Sequence, residues 1–219
     1  MSTYVLMRLF EASPRRYDIG LRVLTLGRID GVRLRVASLA AAPGVRLLDL
    51  GCGTGELSLA CAARGAEVIA VDHDPLLLAV ARNKLQDRAR GGRVRFVEAG
   101  AGELAQRFSP ASFDAAVSCL CLSEMEPPER GYVLGVVHGL LRPGGRLVVA
   151  DEVLPRPGPR RVLYRLARAP LAAATRLACA AASRPIADLE AELGAAGFAI
   201  ERRERRGGLA ILAARREER

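Results

Sequence analysis

Three glycines at alternate positions, Gly51, Gly53 and Gly55, follow the short run Leu47-Leu48-Asp49-Leu50 and precede a helical pattern that starts near Glu56. Inside an element each glycine would cost backbone entropy. At a sharp strand-to-helix turn they let a ligand approach the main chain. A dinucleotide-binding turn spaces its glycines G-x-G-x-x-G and seats a pyrophosphate on the helix N-terminus. Here the third glycine comes one residue early, and Asp49 lies within the strand, two residues before the loop. That layout suits a ligand with an ammonium and sulfonium end rather than a phosphate. Roughly twenty residues on, Asp72 closes a second apolar run, where a carboxylate can accept both hydroxyls of a ribose. A helix cap is the competing role for Asp72. Asp74, directly before Pro75, suits the cap better.

The elements that must position these residues alternate. Apolar runs at 45–50, 67–72, 94–98, 113–120 and 146–151 read as strands, and 54–64, 75–90 and 128–141 read as helices between them. Short strands that are apolar throughout, such as Val-Ile-Ala-Val and Leu-Val-Val-Ala, are buried on both faces, which implies a mainly parallel sheet between helical layers. A helix at 186–196 leads to a terminal hairpin turning at Gly207-Gly208, an antiparallel edge. Residues 4–12 and 17–41 read as N-terminal helices, with Gly27 and Gly31 as possible breaks. The organisation is a single domain: a helical lid at 1–43, a ligand-binding core at 44–154, a basic Ala-rich helical insert at 155–185, and the C-terminal helix and hairpin at 186–219.

The chain has 219 residues, half of them hydrophobic, enough for one well-packed core. No uncharged apolar run reaches eighteen residues, and the first residues lack a secretory pattern, so a cytoplasmic protein is expected. Five cysteines with no C-x-x-C pair argue against zinc and for reduced, buried thiols. Cys119 and Cys121 would point to the same face of a strand. The net charge of +9 is nearly all arginine, spread along the chain, and Lys84 is the single lysine. Aromatic residues are 4% of the chain and do not interleave with the arginines, so the charge does not read as a nucleic-acid surface.

The stretch from Asp49 to Gly55, D-x-G-C-G-T-G, resembles motif I of the class I S-adenosylmethionine-dependent methyltransferases, and the resemblance extends over the chain from residue 45. It implies an α/β fold, a Rossmann-like three-layer sandwich. The sheet would have seven mainly parallel strands with an antiparallel last strand beside the fifth, and the helical N-terminus would form a lid. It implies S-adenosyl-L-methionine as cofactor. Gly51, Cys52, Gly53, Thr54 and Gly55 would carry its methionine part, with Asp49 orienting the ammonium, Asp72 holding the ribose and His73 near the adenine. Thr54 either caps the next helix or touches the cofactor. The family places an acid after strand three for the adenine amino group. Gly100, followed by Ala101, stands there instead, which leaves backbone groups to hold the base; Glu98 and Glu103 register poorly as substitutes. Cys119 matches a polar position that lines the cofactor, and Leu120 follows it. Tyr17, in Arg-Arg-Tyr-Asp, resembles the lid tyrosine of the ubiquinone/menaquinone-type C-methyltransferases. Residues 4–30 and 150–156 resemble a bacterial subgroup associated with corrinoid proteins, which adds a corrinoid partner to the expectations.

Methyl transfer from a sulfonium is an in-line displacement in which the cofactor carries the reactivity and the protein supplies position and a dry site. A base is needed only when the acceptor loses a proton. Glu124 and Asp151, at strand ends, are the candidates, with Glu152 beside them; Ser123-Glu124 falls at the expected mouth. Nucleic acid is not the expected acceptor. The stretch from Ser123 to Glu129 has no aromatic after its two prolines, as a flipped-base site requires, and no Pro-Cys pair precedes a nucleophile. A small-molecule or lipid-like acceptor follows. In the insert, Arg161, Arg165 and Arg168 share a helical face beside Val162, Leu163 and Leu166, a pattern suited to an anionic membrane surface or anionic substrate, or to a solvated cap helix. Competing readings are a cofactor-binding partner protein without transfer activity and an RNA-modifying enzyme.

Overall fold

The computed structural model describes residues 17–19, 21–22, 25, 27–87, 93–155, 158, 185–206 and 209–217. Helix α1 (Arg28–Ala40) leads into β1 (Arg46–Leu50), α2 (Glu56–Ala62), β2 (Glu67–Asp72), α3 (Pro75–Asp87) and β3 (Val94–Glu98). After a 3₁₀ turn and the short α4 (Leu104–Arg107) come β4 (Phe113–Cys119), a second 3₁₀ turn at Leu122–Glu124, α5 (Pro127–Leu140), β5 (Leu141–Glu152), α6 (Leu189–Ala195), β6 (Phe198–Arg206) and β7 (Leu209–Arg216). The sheet order is β3-β2-β1-β4-β5-β7-β6, with β7 antiparallel to both neighbours and the remaining pairs parallel. The chain winds outward from β1 through β2 to β3, then returns to place β4 on the other side of β1. Crossovers therefore diverge above the β1–β4 junction, where open α/β sheets bind ligands at the carboxyl ends of their strands.

Alternation along the strands builds the three layers. Leu47, Val117, Val148 and Ile211 face one core with α1, α2 and α3. Their sequence neighbours Leu48, Ala116, Val149 and Leu212 face a second core with α5 and α6. Because side chains alternate with period two, each central strand must be apolar at every position to fill both cores. Each fully buried Leu, Ile or Phe contributes about 1.5–3 kcal/mol, and Leu47, Leu48, Phe113 and Leu141 are among those with no more than 2% exposure.

Several expected boundaries move, for local reasons. Helix α2 begins at Glu56 because Gly55 is left-handed, φ 79°. Helix α6 begins at Leu189: Ile186 pairs with Val153 instead, and Asp188 accepts the Ala191 N–H at 3.0 Å as cap. The Pro143-Gly144-Gly145 run does not lie outside the sheet. It forms an irregularity within β5, which starts at Leu141. Gly27 does break the expected 17–41 helix, standing as the left-handed N-cap of α1 at φ 74°, whereas Gly31 lies inside α1. The two thiols expected on one strand face separate: β4 ends at Cys119, Leu120 takes φ 60°, and Cys121 turns to the opposite core. The expected helix at 4–12, the insert helices and the Gly207-Gly208 turn lie outside the described residues.

Candidate active site

The glycine loop is folded tightly against the end of β2. Gly51 and Cys52 both donate their N–H to the Val71 carbonyl, at 2.9 and 3.0 Å, and Gly53 N–H donates to Asp72 Oδ2 at 2.7 Å. All three glycines are left-handed, at φ 67°, 54° and 79°. Gly51 has the Cys121 side chain where its own would stand, and a Cβ on Gly55 would lie 3.0 Å from Ala81 and Phe96. Asp72 is 7% exposed and also accepts the Asp74 N–H at 3.0 Å. Asp74 caps α3 through the Leu76 N–H at 2.8 Å, as its place before Pro75 suggested. Thr54 does not cap α2: its hydroxyl donates to Asp18 Oδ1 at 2.8 Å.

Two cavities open on either side of this loop. The smaller, about 30 Å³, is lined by Tyr17, Leu21, Arg33, Asp49, the 51–54 backbone, Cys119 and Leu120. The larger, about 290 Å³, is lined by Leu50, Val71, Asp72, His73, Ala99–Ala101, Cys121, Glu124, Met125 and Glu129. The expected residues Asp49, Gly51, Cys52, Gly53, Thr54, Cys119, Leu120 and Tyr17 thus surround one cavity, and Asp72, His73, Gly100, Ala101 and Glu124 the other. His73 keeps its side chain 82% exposed, with Nδ1 3.6 Å from Asp72 Oδ1. Gly100 donates its N–H to Glu103 Oε1 at 3.1 Å and its carbonyl accepts the Glu103 N–H, so both of its backbone groups are already engaged. Asp151 is brought to neither cavity. It is fully buried, accepts the Ser123 and Glu152 N–H groups at 3.2 and 2.8 Å, and pins the loop after β4.

Charge and burial define what the small cavity can do. Asp49 is 1% exposed; Ser58 Oγ donates to its Oδ2 at 2.5 Å, while its Oδ1 has no hydrogen-bond partner. Burial raises its pKa to about 7, against the opposing Ser58 hydrogen bond. Arg33 Nη1 is likewise buried without a hydrogen bond; it lies 3.7 Å from Asp30 Oδ1, and Nη2 lies 3.7 Å from Asp18 Oδ1. One cavity is thus lined by an acid and a cation that each keep a buried polar atom without a hydrogen bond. Such groups are costly alone and are satisfied together by a zwitterion carrying ammonium and carboxylate. Tyr17, 9% exposed, has its hydroxyl 3.9 Å from where a Gly53 Cβ would stand, and burial raises its pKa well above normal. Burial likewise pushes Cys119 up to about 12, so it is a thiol rather than a nucleophilic thiolate.

Sequence reasoning passed over Arg33, Ser58, Asp18 and Arg130. Arg33 and Ser58 carried a signal: each is a polar residue on the apolar stripe of its helix, beside Val32 and Val36 or between Leu57 and Leu59. Arg130, 4% exposed, pairs with both Glu192 oxygens at 2.5 and 2.7 Å and donates to the Leu122 and Met125 carbonyls, fixing the loop that carries Glu124.

A family profile described as a methyltransferase domain matches residues 47–145. The demethylmenaquinone methyltransferase of Thermus thermophilus is 40% identical over 162 residues, covering 72% of this chain and 70% of that protein. The chain belongs to the S-adenosylmethionine-dependent methyltransferases. The ubiquinone/menaquinone biosynthesis C-methyltransferase UbiE of Vibrio cholerae is 33% identical over 162 residues, covering 72% of this chain and 60% of its own length. The crystal structure of the 1,6-didemethyltoxoflavin-N1-methyltransferase of Burkholderia thailandensis, with 1,6-didemethyltoxoflavin and S-adenosylhomocysteine bound, is similar with TM-score 0.68 at 25% identity. That likeness covers 98% of this chain and 88% of that one. As a member of the family this methyltransferase takes its methyl group from S-adenosylmethionine. None of its described helices is long and apolar enough to cross a membrane.

Proposed function

We propose that this methyltransferase seats S-adenosylmethionine across the glycine loop and methylates a small, quinone-like acceptor. The observation that carries the cofactor placement is that Asp49 and Arg33, each with a buried polar atom left without a hydrogen bond, Oδ1 and Nη1, both line the small cavity. In this reading Asp49 receives the ammonium and Arg33 the carboxylate. The Gly51–Gly55 backbone runs beneath the tail, and Tyr17 covers it. Asp72 receives the ribose hydroxyls with the oxygen lobes its two amide donors leave open, and His73 lies at the outer edge of the base. With both Gly100 backbone groups turned to Glu103, the base is held by apolar contact with Leu50, Val71 and Ala99 and by the Ala101 main chain. The bound sulfonium supplies an activated methyl group; the chain's part is to orient, desolvate and take up any released proton.

Glu124 is the acid placed to accept that proton, since it lines the larger cavity on a 3₁₀ turn held by Arg130 and Asp151. Asp151 serves in this reading as support for that turn. The acceptor class rests on the relatives, whose names specify demethylmenaquinone and ubiquinone or menaquinone biosynthesis. An anionic membrane surface suits a chain of charge +9 with a lipid-like acceptor, though the insert that suggested it lies outside the described residues. Salt-sensitive co-sedimentation with anionic vesicles tests that partner. A corrinoid partner rests on the resemblance of residues 4–30 and 150–156 alone, and titration with a cobalamin followed by visible absorption tests it. For the central reading, calorimetry with S-adenosylhomocysteine should give binding that Asp49→Asn and Arg33→Met each weaken at least ten-fold, as loss of a charge-assisted hydrogen bond requires. Wild-type affinity in both variants would remove the assignment. Release of S-adenosylhomocysteine on adding a demethylated naphthoquinol tests the acceptor.

A further inference from the structure

The cavity beneath the glycine loop is narrow. At about 30 Å³ it has room for little more than one water, and the buried side chains of Tyr17 and Leu21 form its wall. An amino-acid tail cannot enter or leave unless the Tyr17 segment moves aside. Whatever holds that segment therefore controls exchange, and among the described residues one carboxylate next to Tyr17 ties it to three other elements. Asp18, 7% exposed, accepts the Thr54 hydroxyl at 2.8 Å on one oxygen and the Lys84 ammonium on the other, with Arg33 Nη2 3.7 Å away. Its partners come from the glycine loop, from α3 and from α1. Lys84 is itself shared, lying 2.9 Å from Glu56 Oε1 at the start of α2. Among 33 basic residues it is the single lysine, and its compact ammonium with three donors serves the two carboxylates of a partly buried niche, a task that a planar guanidinium meets less well.

We propose that Asp18 and Lys84 form a latch that gates cofactor exchange by holding Tyr17 closed over the methionine end of the site. The inference rests on the cofactor placement proposed above. Asp18 and Lys84 act as positioning residues, since neither lines the small cavity. Cofactor binding and release both pass through a state in which these hydrogen bonds are broken. Weakening the latch then raises the association and the dissociation rate together and leaves the equilibrium constant comparatively unmoved. An ordinary affinity contact changes dissociation alone.

The chain contains no tryptophan, so Tyr132→Trp, at an exposed position of α5 beside Gly102, next in sequence to the Ala101 that lines the larger cavity, introduces a single fluorescent reporter away from the latch. Stopped-flow mixing of the full chain with S-adenosylhomocysteine reads association, and a chase with excess unlabelled S-adenosylmethionine reads dissociation. Asp18→Asn and Lys84→Met are expected to raise both rates roughly five-fold or more, and Lys84→Arg to bring them back toward the parent. Parent rates in both variants, or faster release with unaltered association, overturn the latch. Should Asp18→Asn fail to fold, Lys84→Met carries the test. A parent chain that binds no S-adenosylhomocysteine removes the cofactor placement and the latch together; a parent that binds, with variants at parent rates, removes the latch alone.

Discussion

Asp49 is held where burial and chemistry pull in opposite directions. Desolvation lifts its pKa to about 7, far above the roughly 4 of an unfolded aspartate. The folded chain therefore keeps a proton that the unfolded chain has lost between those two values. By linkage, stability falls as pH rises from about 4 through 7, at up to about 1.4 kcal/mol per pH unit, and the loss is complete above that range. Asp151, raised to about 6, adds a loss of the same sign between about 4 and 6. Asp49→Asn removes its share, so its melting temperature should gain on wild type progressively from pH 5 to pH 8; parallel curves would contradict the burial of an ionising carboxyl. Binding has the opposite sign, because a cationic ligand favours the carboxylate, and affinity for S-adenosylmethionine should increase through pH 7. Asp72→Ala is expected to lower that affinity by more than ten-fold, both through the ribose and through the Gly53 amide it releases; calorimetry checks it. Asp49 and Asp72 were legible in the sequence because an acid inside or ending an apolar strand is conspicuous. Asp18 was not, because its meaning depends on Thr54, Lys84 and Arg33, which converge on it only in the folded chain.

Elements transmit position to these residues. The glycine loop works as a wedge between β2 and α3, and Gly55 shows how little slack it has. Alanine there meets a positive φ as well as Ala81 and Phe96 at 3.0 Å. Gly55→Ala should cost roughly 1–3 kcal/mol, seen as a lowered urea midpoint at unchanged m-value. A midpoint within error of wild type would show that the turn relaxes freely. On the acceptor side buried Arg130 ties the Leu122–Met125 turn to α6, and its loss leaves half-buried Glu192 and two carbonyls unserved. Arg130→Met should cost roughly 1.5–3 kcal/mol and reduce turnover more than cofactor affinity, by freeing the turn that carries Glu124; equal losses in both would place Arg130 outside the acceptor side. At this scale the strands β2 and β3 were readable to the residue from their apolar runs. The boundaries that moved did so where a backbone choice was hidden from pattern: Gly55 adopting a left-handed cap in place of Thr54, Ile186 preferring a bridge to Val153, and Pro143–Gly145 bulging within a strand that pairs on either side of it.

The whole molecule is a ligand platform whose crevice is set by winding order. Because β1 lies between β2 and β4, the Gly51–Gly55 loop, the Asp72 strand end and the turn after β4 meet above one junction. A mainly parallel sheet with its antiparallel last strand beside the fifth was implied by alternating apolar strands and helices together with the resemblance at Asp49–Gly55. The acceptor was not implied with the same sharpness, since transfer from a sulfonium leaves few obligatory residues to read. A ligand that binds only the folded state stabilises it by mass action, about 2.7 kcal/mol at a hundred times its Kd. S-adenosylhomocysteine should therefore raise the melting temperature by several degrees, and the rise should shrink in Asp49→Asn and Arg33→Met. The most direct test is a crystal structure with S-adenosylhomocysteine bound. Its carboxylate is expected at Arg33 Nη1, its ammonium at Asp49 Oδ1 and its ribose at Asp72, with Tyr17 displaced outward but still covering the tail. Density in any other cavity, or a tail directed away from Asp49 and Arg33, would contradict this placement.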